Sequence, residues 1–177
     1  MKVIKILAGI IVVLVALFFI IGLFLPKTYN VSRSIEINKP DSIVYQKTLN
    51  LNDLGSWNPW MQMDSAAKFN VTGDGISTGS KFSWDGKEVG TGAIIMDKLN
   101  AYKQIDQKLV FIKPFESTAM TSFYFEPTTS GGTKVTWDFK GENTSIFSRW
   151  MSLAYDPMIG KDYDKGLSNL KAFIEKQ

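Results

Sequence analysis

The residues equipped for acid–base or metal chemistry are notable for what is missing. The 177-residue chain has no histidine and no cysteine. The commonest general base and the commonest transition-metal ligand are therefore absent, as are thiolate nucleophiles and disulfides. The carboxylates Glu88, Asp97, Asp106, Glu116 and Glu126 are scattered without a paired spacing. Asp162 and Asp164 alternate with Lys161 and Lys165 in the pattern of a solvated helix face. The glycines of Gly73-Asp74-Gly75 lie between strand-like segments and open no helix, so a dinucleotide loop is not indicated. No cofactor and no metal site are expected.

What remains is a set of large aromatics with polar edges. Trp57, Trp60, Trp84, Phe111, Phe123, Phe125 and Trp137 fall at positions whose pattern points inward. Such side chains either fill a solid core or line a cavity for an apolar molecule bearing a few hydroxyl or carbonyl groups. Two polar residues share their phase. Arg33 alternates with Val31, Ile35 and Ile37, and Gln107 lies between Ile105 and Leu109. Arg33 would either grip a ligand's acidic head group or run its stem over apolar surface to water.

These residues need elements to carry them. Tyr29 to Ile37 alternates with period two, and Thr133 to Lys140 does so strictly, with Thr133, Val135, Trp137 and Phe139 on one face. Between them the pattern predicts two short helical pieces, ending at Trp57-Asn58-Pro59-Trp60. Strands follow at 67–72, 81–84, 88–97, 103–112 and 118–126, with Asp85-Gly86 as a tight hairpin turn. Ser145 is expected to cap a short helix, and Asp156-Pro157 to start a long one. On that last helix Ile159, Tyr163, Leu167, Leu170 and Ile174 form an apolar stripe, interrupted by Gly166.

Ahead of all this stands Ile6 to Leu25, a run with no charge and no side-chain hydrogen-bonding group. As a helix it spans roughly 30 Å, the thickness of a bilayer's hydrocarbon core. It is longer than a signal-peptide core of about 7–15 residues, and no small-x-small cleavage pattern follows it. The expected organisation is a single membrane anchor, residues 1–26, and one domain, residues 27–177. Two of the 20 basic residues, Lys2 and Lys5, precede the run, which leaves the domain close to neutral against 17 acidic residues. No like-charge run suggests a nucleic-acid partner. A short basic head before a long apolar run is the arrangement of an anchor that carries its domain to the extracytoplasmic side. Asn30, Asn70 and Asn143 each begin a glycosylation-type triplet.

In order and wording the domain resembles the START/Bet v 1-like (SRPBCC) superfamily, in its polyketide cyclase/dehydrase-like branch. The resemblance is carried by VSRSIEINKPDSIVY, by WNPW at Trp57–Trp60, by GSKFSW at Gly79–Trp84, by GGTKVTWDFKG at Gly131–Gly141 and by GKDYDKGLSNLKAFIE at Gly160–Glu175. It implies an α+β helix-grip fold, a curved antiparallel sheet around a long C-terminal helix. It also implies a cavity between them for a small hydrophobic or lipid-like molecule, with Tyr163 and Leu167 of the last helix facing that space. Three functions are compatible with it: a membrane-tethered binder, a cyclase/dehydratase-like enzyme, or a protein-interaction module. The missing histidine weighs against the enzyme, since cyclases of the family often place one in the cavity.

Overall fold

A computed structural model describes residues 2–114 and 116–176. Helix α1 (Lys2–Phe24) leads directly into strand β1 (Thr28–Ile37). Helix α2 (Asp41–Leu49), a single 3-10 turn and the short helix α3 (Leu54–Trp57) follow, and a second 3-10 turn covers Pro59–Gln62. Six strands come next: β2 (Lys68–Thr72), β3 (Lys81–Gly86), β4 (Gly90–Asn100), β5 (Gln104–Lys113), β6 (Ser117–Pro127) and β7 (Thr133–Glu142). The chain closes with α4 (Ile146–Ser152) and α5 (Tyr155–Glu175).

All seven strands form one antiparallel sheet in the order β1-β7-β6-β5-β4-β3-β2. The single non-sequential neighbour, β7 beside β1, carries the chain's two ends to the same edge. Its register pairs Val31 with Phe139, Arg33 with Trp137 and Ile35 with Val135. The concave face buries Val31, Ile37, Ile105, Phe123, Phe125, Val135 and Trp137, and α5 lies across it. Helix α5 presents Tyr163, Gly166, Leu167, Leu170 and Ile174 to the sheet, close to the stripe read from the sequence. This is the α+β helix-grip arrangement.

Gly166 explains itself in this packing. A Cβ placed there would lie 2.7 Å from Trp137 Cζ3 and 3.1 Å from Pro59 Cδ. The helix costs about 1 kcal/mol for carrying glycine, and in return its backbone approaches the indole closely.

Two local expectations are corrected. The β3–β4 hairpin turns at 87–89 and not at Asp85-Gly86, because Gly86 still pairs with Gly90. Gly90 takes the left-handed backbone (φ 69°) that closes a three-residue loop. The loop is held by the Asp64 carboxylate, which accepts from Glu88 N–H at 3.0 Å. Asp156 is likewise not a cap. Helix α5 begins at Tyr155, one residue earlier, so Asp156 and Pro157 occupy its first turn, where a missing N–H costs nothing.

Gly166→Ala is expected to destabilise the domain by about 1–2 kcal/mol: the added Cβ meets a locked indole, which puts overpacking in the upper part of its range, about 2–3 kcal/mol, less about 1 kcal/mol regained in helix propensity. That corresponds to a fall in Tm of about 3–6 °C. At Gly55 in α3 a Cβ meets nothing within 4 Å, so Gly55→Ala should leave Tm unchanged or raise it. Thermal melts of the two full-length variants in the same detergent check both; an equal response would remove the close-approach account.

Candidate functional site

Beneath the first half of α5 the concave face does not close. A cavity of about 350 Å³ remains, walled by α3 and the turn after it, by β3, β4, β5, β6 and β7, and by α5. Its aromatic wall is built from Trp57, Trp60, Trp84, Phe111, Trp137 and Phe139, with Leu54, Met61, Ile94, Leu109 and Ile159 between them. Alternation along β5 delivers Gln107, Leu109 and Phe111 to the same side, and β6 adds Thr121.

The aromatic rings are locked. Trp137 stacks on Tyr163 at 3.9 Å between ring centres and on Phe123 at 4.8 Å. Trp57 and Trp60 meet the Trp137 indole edge-on at 5.7 and 5.8 Å. Thr121 Oγ1 holds this cluster from below. It accepts from Trp137 Nε1–H at 2.8 Å and donates to the Asp138 carbonyl at 2.7 Å. Its one proton is thereby used, so at the 3.0 Å contact with Tyr163 the phenol donates.

Among the described residues the wall carries two ionisable side chains, Tyr163 and Glu88, and Glu88 is exposed. Burial pushes the Tyr163 phenol well above its ordinary value, so it is a neutral donor across the physiological range and no base. Two further wall residues carry buried polar groups. The buried Trp57 Nε1–H has no hydrogen-bond partner among the described residues. Gln107, 3% exposed, donates to the Met96 sulfur at 3.7 Å, a weak acceptor that leaves its amide available.

Of the residues singled out from the sequence, Trp57, Trp60, Trp84, Gln107, Phe111, Trp137 and Tyr163 lie on the cavity wall. Arg33, Phe123, Phe125 and Leu167 do not. Arg33 does point to the helix side of the sheet, but α5 supplies its partners: Asp156 at 2.9 Å and Asp164 at 3.3 Å. The guanidinium lies under Gly160, which leaves no room for a Cβ there. Phe123 backs Trp137, Phe125 packs edge-on against Tyr45 at 5.3 Å, and Leu167 is core. Thr121 was not anticipated, although its phase with Phe123 carried the signal. Asn143 is also settled: it is buried, and its amide donates to the Pro26 carbonyl and to Ser152 Oγ, so it is no glycan acceptor in the folded chain.

The mouth is marked by the half-buried or exposed wall residues Met63, Glu88, Val89, Phe111 and Ile159. Register places it. Thr28 pairs with Glu142, Phe111 with Ser117, Thr91 with Lys113 and Gly86 with Gly90. The hairpin tips that rim the mouth therefore sit at the end of the sheet where α1 joins β1.

No family model matches the chain, and no curated protein matches it in sequence. Solved structures do match. A protein from Nitrosospira multiformis is 20% identical, with a TM-score of 0.60 over 81% of this chain and 94% of its own. The protein Ara h 8.0201 superposes with a TM-score of 0.57 at 9% identity, over 85% and 99% of the two chains. The fold is Bet v 1-like. DynU16, of the dynemicin biosynthetic locus, also matches, at a TM-score of 0.60 and 10% identity over 82% of this chain. The match takes in 47% of DynU16, so this chain corresponds to about half of that protein.

Three tyrosines, Tyr29, Tyr45 and Tyr163, have their phenol pKa raised above the ordinary 10.0, chiefly by burial. Below pH 10 the folded and unfolded chains hold the same phenolic protons and nothing changes. Above it the unfolded chain releases protons that the folded chain retains, so stability falls as pH rises. Denaturant midpoints from pH 8 to 11.5 should be flat and then decline above about pH 10, with a shallower decline in Tyr163→Phe. An unchanged slope in that variant would mean that the Tyr163 phenol is not desolvated.

Proposed function

We propose that the domain binds a compact, mostly apolar molecule carrying a carbonyl or hydroxyl oxygen, and that α1 tethers it to a membrane while it does so. The observation that carries the reading is the cavity itself, whose wall is almost wholly aromatic and aliphatic. Gln107 and Thr121 are among the few polar side chains on that wall, and the Gln107 amide, paired only with a sulfur, offers a polar contact to a ligand oxygen. A volume of about 350 Å³ lies at the small end of ligand sites, which run from about 300 to 1,000 Å³. It suits one ring system or one acyl segment.

Membrane attachment is supported by α1, the one described helix long and apolar enough to cross a bilayer. Its side chains are exposed along nearly its whole length, with only Gly22 buried. In water that surface would be unfavourable by about 25 cal/mol per Å². The position of the cavity mouth at the α1 end supports uptake from lipid over uptake from bulk water. The short basic head at Lys2 and Lys5 supports an extracytoplasmic domain.

A cyclase-like enzyme is the second reading, supported by the likeness to DynU16. It draws less from the wall itself. Tyr163 gives its proton to Thr121, so the cavity has no obvious free acid or base beyond the mouth.

The test uses the full chain purified in detergent. Solvent extraction and mass spectrometry should find a co-purifying apolar molecule with a carbonyl or hydroxyl group. The probe N-phenyl-1-naphthylamine should bind, and Leu109→Trp, which fills the cavity, should weaken it about tenfold, equivalent to about 1.4 kcal/mol. No retained molecule, together with probe binding indifferent to Leu109→Trp, would sink the proposal.

A further inference from the structure

Helix α4 shows two unlike faces. One grips the end of α1. Ile146 packs on Gly22, where a Cβ would collide with it. The Arg149 guanidinium donates to the Gly22 and Leu23 carbonyls at 3.2 and 3.0 Å, placing a cation at the negative end of that helix. Trp150 donates to the Phe18 carbonyl at 3.2 Å and stacks on the Phe18 ring at 5.3 Å. The other face is apolar and uncovered. Phe147 is 67% exposed, Met151 46% and Leu153 52%, and Met158 on the first turns of α5 is 66% exposed. Ser145 fixes the helix with a reciprocal cap: Ser148 N–H donates to Ser145 Oγ, and Ser145 N–H to Ser148 Oγ.

Depth decides what covers this face. Phe18 precedes the last residue of α1 by six positions, or about 9 Å along the helix. With the end of α1 at the headgroup–acyl boundary, a side chain stacked there reaches about 9 Å below it, within the ~5–10 Å by which interfacial helices bury their apolar faces. Through these contacts α4 lies against α1 between Phe18 and Leu23, where the side chains of α1 are otherwise exposed, and Ser152 at its end precedes Ile159 of the cavity wall by seven residues.

We propose that α4 is an interfacial lipid-binding helix, its Phe147, Met151 and Leu153 seated in the bilayer surface, so that the cavity mouth is held against lipid. The inference rests on α1 being a membrane anchor and not on the identity of any ligand.

The absence of native cysteine makes the test clean. Full-length Phe147→Cys, Met151→Cys and, as a distal control in the β6–β7 loop, Ser130→Cys are labelled with nitrobenzoxadiazole and reconstituted into phosphatidylcholine vesicles. Labels at 147 and 151 should emit at shorter wavelength than at 130. They should be quenched severalfold by lipids carrying a nitroxide high on the acyl chain, and be shielded from aqueous iodide; the label at 130 should do the reverse. Iodide quenching at 147 and 151 equal to that at 130 would overturn the proposal. So would protection from both quenchers, the signature of a protein partner. Release of the chain by alkaline carbonate would overturn the anchor and this placement together, whereas ligand binding is scored separately by the naphthylamine titration.

Discussion

The indole of Trp137 lies flat between the rings of Phe123 and Tyr163, and the height of α5 above the sheet follows from that sandwich. Stacking at 3.9 Å leaves no slack between helix and sheet, and the missing side chain at Gly166 is what permits the approach. Thr121 completes the arrangement, because its single hydroxyl satisfies the indole and the phenol at once. Helix α5 lies close along β1 over its whole first half, with Gly160 seated on Arg33, so the part of the concave face formed by β3 to β6 is left partly uncovered there, and the space is the cavity. A larger residue at 166 would press on Trp137 and so disturb both the core and the cavity wall.

Much of this arrangement is legible in the amino-acid order. Period-two runs at Tyr29–Ile37 and Thr133–Lys140 identify the two strands that close the sheet, and the apolar stripe of α5 names the residues it buries. Alternation reports which side of a strand a residue takes, but not what waits there. Arg33 shows the limit: its side is correctly read, yet its partners Asp156 and Asp164 lie more than 120 positions away on an element whose placement no local pattern specifies. The same holds for Trp57, which reads as one more inward aromatic. Only the packed fold reveals that its N–H lacks an acceptor, because that absence belongs to every neighbour at once. The hairpin turns at 87–89, beyond the local signal, for a related reason. Asp85-Gly86 carries a valid local turn signal, and the loop's tie to Asp64 overrides it.

Polar side chains are few on the cavity wall, while the rim is formed by hairpin tips and the start of α5. The α1–α4 contacts lie at that same end of the sheet, since α1 precedes β1 and α4 follows β7 there.

Only Leu25, Pro26 and Lys27 separate α1 from β1, a stretch that spans about 10 Å at most. Even this short link is clamped, since Asn143 accepts none of the slack: its backbone N–H donates to the Lys27 carbonyl at 2.8 Å and its side chain to that of Pro26 at 3.0 Å. A domain on so short a stalk cannot swing out to ferry cargo across an aqueous gap. With α1 in a bilayer, exchange is confined to the host leaflet or to acceptors that come to it, and encounters become a matter of lateral diffusion in two dimensions.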